Sequence, residues 1–118
     1  MRYLLHLTDE KVWSAAPTEI APASLETEGF VHASPDEATA LAVANHVLPG
    51  TNEQQVALVI DTTLLPAEVR WEAPSPAPPP GVGPQALFPH IYGPVPRSAV
   101  VAVRYLRRDT SGAFVAME

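Results

Sequence analysis

The chain has 118 residues, a formal net charge of −6 and no cysteine. This length fits one domain, so we predict a single domain over residues 1–118. The lack of thiols excludes a disulfide framework and a thiolate zinc site, and the negative charge argues against general nucleic-acid binding, because a polyanion repels an acidic surface.

The N-terminal residues predict a cytoplasmic location. The run from Met1 to Leu7 is too short and too soon followed by polar residues for a signal peptide. No window of the chain reaches the length that spans a membrane. We therefore expect a cytoplasmic protein without membrane contact, and the sequence leaves the oligomeric state open.

The first strand and helix are predicted from alternation and from a capping residue. Arg2 to Thr8 has the pattern of a strand. Thr8 is placed to cap a short helix, which Pro17 ends. The residues from Ile20 to Leu25 are predicted to be irregular or a short strand.

The clearest local signal is Ser34-Pro35-Asp36-Glu37. Serine followed three residues later by glutamate forms a capping box, and proline suits the first helical position. We predict that Ser34 caps a second helix over residues 35–47, after a short strand over residues 30–33. The apolar stripe of this helix is predicted to contain Ala38, Leu41, Ala42 and Asn45.

Apolar patterns predict four further strands along the rest of the chain, the first of them buried. They are Val56–Asp61, Val69–Glu72, Ala99–Leu106 and Ala113–Met117. Two helices in the N-terminal half, with strands along the whole chain, predict an α+β domain. The short connections favour a mostly antiparallel sheet.

A proline-rich loop separates two of these strands. Residues 74–84, from Pro74 to Pro84, hold six prolines and two glycines and predict a polyproline-like surface segment. Since the loop leads directly into Phe88–Val95, it is either a lid over that segment or a passive connection.

Phe88–Val95 is the most informative segment. Its prolines disfavour a helix, so it is predicted to run extended, with Phe88, His90 and Tyr92 on one face. Such a face suits a flat heterocyclic ligand, or else an aromatic core strand that carries a satisfied histidine. Gly93 marks a point where another backbone or a ligand approaches closely.

Three of the four histidines stand two residues before a hydroxyl-bearing residue. The pairs are His6 with Thr8, His32 with Ser34, and His90 with Tyr92. Each pair precedes a structural break, so we predict that each histidine lies at a strand end and that the three open onto one cavity. His46 lacks the pattern and is predicted to lie on the surface of the second helix.

Spacing argues against other chemistries. A three-histidine zinc site would lack any local pair of ligands, and we predict no metal. Ser34 lies outside a nucleophile motif, and its oxygen is assigned to capping. Glu72 follows Trp71 and is a candidate acid or base. Its other predicted role is a salt bridge to Arg70 or Arg97.

Four blocks of the chain resemble the bacterial family known as domain of unknown function 952. They are His6-Leu7-Thr8, Glu28-Gly29-Phe30-Val31-His32-Ala33-Ser34, Val69-Arg70-Trp71-Glu72 and Phe88-Pro89-His90-Ile91-Tyr92-Gly93-Pro94. The family's corresponding blocks read His-Ile-Thr, Glu-Gly-Phe-Ile-His-x-Ser, Val-Arg-Trp-Glu and Phe-Pro-His-Leu-Tyr-Gly-Pro. The resemblance spans nearly the whole chain and implies no established activity.

A more distant resemblance is to the ADP-ribosyltransferase fold. In that fold a first-strand His-Gly-Thr block holds the ribose of NAD, and a later strand places His or Tyr beside nicotinamide. Residues 5–8 resemble the first block and residues 31–34 the second, with Leu7 in place of the glycine. His90 takes a third position by order, where glutamate is common. The resemblance implies a split or barrel-like sheet and NAD as a candidate ligand.

Three functional interpretations fit these residues. The first is a transferase or hydrolase that acts on NAD or an ADP-ribose-like nucleotide, with His6, His32 and His90 as catalytic residues. The second is a non-catalytic small-molecule binding module, and the third is a structural protein without an active site. The predicted ligand-binding residues are Thr8, Ser34, Glu72, Phe88, Tyr92 and Arg97.

The resemblance also implies individual roles. His6 would hold ribose, His32 and Tyr92 would face the base, and His90 would be the general acid or base. Apart from the resemblance, the charge of the arginines near the C-terminus, Arg97 among them, suits a pyrophosphate. We expect micromolar to millimolar affinity for NAD, and little loss of stability when His90 is replaced by alanine.

Overall fold

The computed structural model describes residues 1–15, 18–74, 78–83 and 85–118. These residues form nine strands, β1 to β9 in chain order: Tyr3–Asp9, Glu19–Ile20, Val31–His32, Gln55–Asp61, Val69–Glu72, Phe88–Ile91, Val95–Pro96, Val100–Arg108 and Phe114–Met117. They also form three helices, α1 to α3: Glu10–Ala15, Ala23–Thr27 and Glu37–Val47. None of the helices in the described ranges is long and apolar enough to cross a membrane.

Antiparallel pairing builds two main sheets. One has the strand order β1-β4-β8-β9 and the other β3-β6-β5, while β2 pairs with β7. The backbones of Leu5 on β1 and Ser34 bond each other in both directions, at 2.9 and 2.7 Å, and this bridge joins the two sheets. The result is a curled half-barrel, which confirms a mostly antiparallel α+β fold.

The apolar core lies on both faces of β4, because successive residues of a strand point to opposite faces. One face packs against the three-stranded sheet, in a buried cluster that includes Leu4, Val31, Val56, Leu58, Ile60 and Ile91. The other face packs against α3, in a cluster that includes Leu5, Ala40, Ala44, Ala57, Leu106 and Phe114. The prediction of a buried strand here is confirmed.

The start of α3 differs from the prediction. Asp36, not Ser34, is the N-cap, and its side chain accepts a hydrogen bond from the backbone N–H of Thr39 at 2.8 Å. Ser34 cannot cap because both of its backbone bonds to β1 hold it at the edge of the sheet. The fully buried residues of α3 are Ala40 and Ala44, which the predicted stripe omitted, while Leu41 of that stripe does pack against the core.

Two further predictions about helices were wrong. The described residues of the N-terminal half form three helices rather than two, because α2 follows Pro22 in a stretch that was predicted to be irregular or a short strand. A proline with extended ψ fits immediately before a helix, since it lacks only a donor that the helix would leave unused. Thr8 lies within β1, which continues to Asp9, and so does not cap α1. Pro17, the predicted end of α1, lies outside the described residues.

The segment predicted to run extended from Phe88 to Val95 divides into β6 and β7. Gly93 lies between them, and a Cβ atom there would stand 2.9 Å from the Cβ of Ala67. The glycine therefore permits close approach of another part of the chain rather than of a ligand. β5 coincides with the predicted strand Val69–Glu72.

Candidate functional site

A cavity of about 310 Å³ is bordered by residues of β1, β3, β6 and α3. All four histidines line it, together with Ser34 and Phe88. The remaining walls are apolar: Leu5, Leu7, Ala33, Val43, Val47, Pro74 and Pro79. We call it the four-histidine cavity, after His6, His32, His46 and His90.

His6 presents one bare ring nitrogen to this cavity. The residue is 6% exposed, and its Nδ1 lies 2.6 Å from the carbonyl oxygen of His32. Since a carbonyl oxygen only accepts hydrogen bonds, Nδ1 must carry the hydrogen and donate. Burial lowers the pKa of His6, which keeps the ring neutral near pH 7.

The other nitrogen of His6, Nε2, is then an acceptor. It has no hydrogen-bond partner in the part of the chain that the structure describes. No side-chain nitrogen or oxygen of those residues is fully buried without a partner. Nε2 must therefore reach open space, and the open space beside His6 is the cavity.

His90 is held in the same way, but by a carboxylate. Its Nδ1 lies 2.8 Å from Oε1 of Glu72, and the Tyr92 hydroxyl donates to the same oxygen at 2.5 Å. These hydrogen bonds, that of Tyr92 foremost, lower the pKa of Glu72, and the carboxylate raises the pKa of Tyr92. Glu72 is thus ionised, and Nδ1 of His90 donates to it.

The predicted salt bridge of Glu72 was wrong. Arg70 pairs with Glu68 at 3.1 Å instead, and its guanidinium lies over the ring of Tyr92, 4.3 Å from the centroid. Glu72 and Arg70 are two residues apart on β5, and Glu72 uses its oxygen for the His90 and Tyr92 donors.

Phe30 fixes the plane of the His90 ring. The two rings stack, with centroids 3.9 Å apart and planes 16° apart. His32 lies directly opposite His90 on the paired strands β3 and β6, and its ring stands edge-on to both neighbours. The side chain of His32 is 56% exposed and contacts Glu28 through Nε2 at 2.7 Å, so it lies at the mouth of the cavity.

Residues 7–103 match the family described as "Protein of unknown function (DUF952)". The chain belongs to this family. No curated protein matches this DUF952 chain.

The DUF952 chain is similar to solved structures over almost its whole length. The crystal structure of protein CC0527 from Caulobacter crescentus superposes with a TM-score of 0.75 at 26% sequence identity, covering 96% of this chain and 93% of that one. A double mutant of CC0527 gives the same TM-score and coverage at 25% identity. The curled half-barrel is therefore shared with that protein.

The four-histidine cavity of this DUF952 domain gathers some of the predicted site residues and not others. His6, His32, Ser34, Phe88 and His90 line it. Glu72 and Tyr92 are not among the lining residues. Glu72 acts on the cavity only indirectly, as the hydrogen-bond partner of Nδ1 of His90.

Two predicted ligand-binding residues lie elsewhere. Thr8 borders a separate depression beside α1. Arg97 donates to the carbonyl oxygen of Trp13 at 3.0 Å, and its guanidinium covers the Trp13 ring at 3.9 Å from the centroid.

The predicted strand-end positions hold for only part of the set. His6 lies in the middle of β1, whereas His32 ends β3 and His90 is the third of four residues in β6. Among the described residues, no group of three or more histidine or carboxylate side chains is placed to hold a metal ion.

Sequence reasoning missed one residue that lines the cavity, His46, and one that supports its wall, Phe30. His46, predicted to lie on the helix surface, is exposed and also lines the cavity, because the last turn of α3 borders it. Phe30 received no role, although it stands two residues before His32 on an extended segment and so shares a face with it. Ser34, which was predicted both to cap a helix and to bind a ligand, lines the cavity, and its Oγ has no hydrogen-bond partner within the described ranges.

Proposed function

We propose that the four-histidine cavity is the active site of a small hydrolase or transferase that acts on the nicotinamide riboside part of NAD or a related nucleotide. One observation carries the proposal. Both His6 and His90 engage Nδ1 in a hydrogen bond within the protein, which leaves Nε2 of each ring for a ligand.

The two histidines have different roles in this proposal. Nε2 of the neutral His6 accepts a hydrogen bond from a ribose hydroxyl group. His90 is the general base, because a carboxylate bonded to Nδ1 fixes the tautomer and stabilises the positive charge that forms when Nε2 takes up a proton. Tyr92 and Glu72 act through His90 as positioning residues.

The proposed reaction breaks the bond between the ribose and the nicotinamide nitrogen. A hydroxyl group, from water or an acceptor, adds to the ribosyl carbon and gives its proton to Nε2 of His90. The electron pair of the broken bond returns to the ring nitrogen, so nicotinamide leaves without charge. No metal ion is needed to balance this step.

The size of the cavity supports this part of the nucleotide as the ligand. About 310 Å³ is at the lower end of the roughly 300–1,000 Å³ that ligand sites occupy. Phe88 and the aliphatic walls suit a flat ring. The resemblance of residues 5–8 and 31–34 to the NAD-contacting strands of ADP-ribosyltransferases supplies the ligand class.

Release of nicotinamide from NAD and from nicotinamide riboside, followed by chromatography, tests the proposal. We expect turnover of at least one of the two by the wild-type protein and of neither by His90→Asn, which keeps a donor for Glu72 but lacks Nε2. Arg107→Gln is the matched control, since Arg107 lies on β8, pairs with Glu118 and does not line the cavity. Binding without turnover by the wild type would identify a non-catalytic module instead. The absence of both binding and turnover would reject the proposal.

A further inference from the structure

The charge around the four-histidine cavity restricts what it can bind. Of the described residues that line it, none is lysine, arginine, aspartate or glutamate. A phosphate group in the cavity would therefore have no guanidinium or ammonium partner to offset its loss of hydration.

Negative charge surrounds the cavity instead. The carboxylate of Glu72 is bonded to His90, and that of Glu28 to His32 at the mouth. The last turn of the 11-residue helix α3 contributes His46 and Val47 to the wall, and the C-terminal end of a helix carries partial negative charge. These three features disfavour an anion in the cavity.

Backbone hydrogen-bond donors are also scarce, although the Ser34 hydroxyl lines the cavity without a partner among the described residues. Leu5 and Ser34 use their backbone N–H groups on each other's carbonyl oxygens. Pro74 and Pro79 have no N–H at all. Nε2 of His6 is an acceptor without a partner among the described residues, so a ligand that lies against it must donate a hydrogen bond.

From this arrangement we infer that the cavity binds an unphosphorylated ring compound, uncharged or cationic, that donates a hydroxyl or N–H hydrogen to Nε2 of His6. This inference rests on the proposed function and narrows its ligand from a nucleotide to a nucleoside. The 5′-phosphate is the group that the cavity rejects.

Paired ligands test the inference. Nicotinamide riboside and adenosine are compared with their 5′-monophosphates by isothermal titration, while NMR follows the histidine ring signals. The work is done at pH 8, above the ordinary pKa of a histidine side chain. We expect each nucleoside to bind at least about tenfold more tightly than its monophosphate. Repulsion between like unit charges a few ångströms apart near a protein surface weakens a binding constant by about that factor or more. Added salt should narrow the ratio, since it screens repulsion.

A rim variant sharpens the test. Val47 is 58% exposed and lines the cavity, so Val47→Arg places a guanidinium at the mouth with little effect on folding. It should tighten binding of the monophosphates several-fold relative to the nucleosides. Arg107→Gln, which lies outside the cavity, should leave this ratio as it is in the wild type.

Each outcome decides a different question. Equal or tighter binding of the monophosphates by the wild type overturns the inference and leaves the proposed function standing. If no ligand moves the ring signals of His6 and His90, both are overturned.

Discussion

Replacement of His90 by alanine measures how firmly the protein holds this ring. The change removes the stack on Phe30, with centroids 3.9 Å apart, and the hydrogen bond to Glu72 at 2.8 Å. Aromatic pairs contribute about 0.5–1.5 kcal/mol beyond buried area, and hydrogen bonds to charged groups about 1.5–3 kcal/mol. The side chain of Glu72 is 38% exposed, so water recovers part of the second contribution.

The free energy of unfolding should therefore fall by about 2–4 kcal/mol in His90→Ala. From the sequence we expected this substitution to lower the stability only slightly, because a histidine in a cleft was assumed to have few buried partners. The observed contacts of His90 replace that expectation. His90→Asn is the matched variant, because its amide nitrogen takes about the position of Nδ1 and still donates to Glu72. It should lose only the stack, about 1 kcal/mol.

Urea unfolding followed by the fluorescence of Trp13 and Trp71 measures both variants. An alanine variant within about 0.5 kcal/mol of the wild type would show that neither contact stabilises the fold, and the account of a held ring would be wrong. Equal losses in the alanine and asparagine variants would show that the bond to Glu72 contributes nothing.

Three further predictions concern the frame around the cavity. Gly93→Ala should lower the free energy of unfolding by about 1–3 kcal/mol, since its Cβ would stand 2.9 Å from that of Ala67. Adding Ala67→Gly should restore most of the loss. A double-mutant cycle that shows no coupling between the two positions would contradict the clash. Asn45 binds both the N–H and the carbonyl group of Phe114 on β9, at 2.8 and 2.9 Å, so Asn45→Ala should cost about 1–2 kcal/mol in a urea melt, and Asn45→Asp, which keeps only the acceptor, about half. The lowered pKa of His6 means that below about pH 6.5 the unfolded chain takes up a proton that the folded protein refuses. The free energy of unfolding should therefore fall as the pH drops from 7 toward 5, and this slope should flatten in His6→Gln; melts at four pH values check it, and equal slopes in the two proteins would rule out His6 as the cause.

Alternation and proline placement were sufficient to locate most strands. Each strand of the four-stranded sheet carries a local pattern, and β5 was placed at its observed ends. The start of α3 was misplaced because two capping residues, Ser34 and Asp36, stand two positions apart. The choice between them depends on Leu5, a residue 29 positions away from Ser34, whose backbone holds Ser34 in the sheet.

The chemistry of the cavity depends on such distant contacts more than on the residue types. A histidine in a strand is equally a core residue or a functional one until the partner of Nδ1 is known. For His6 that partner is a carbonyl oxygen 26 residues on, and for His90 it is a carboxylate 18 residues back. Neither separation fits a local motif, because each arises from strand pairing. A different pairing places Arg97: it follows β7, which pairs with β2, and its guanidinium lies against Trp13, 84 residues earlier, rather than beside the cavity. Three separate contacts between strands therefore decide the chemistry of the cavity. The bridge between Leu5 and Ser34 brings His6 to its partner, the pairing of β5 with β6 brings Glu72 to His90, and the pairing of β2 with β7 keeps Arg97 from the walls.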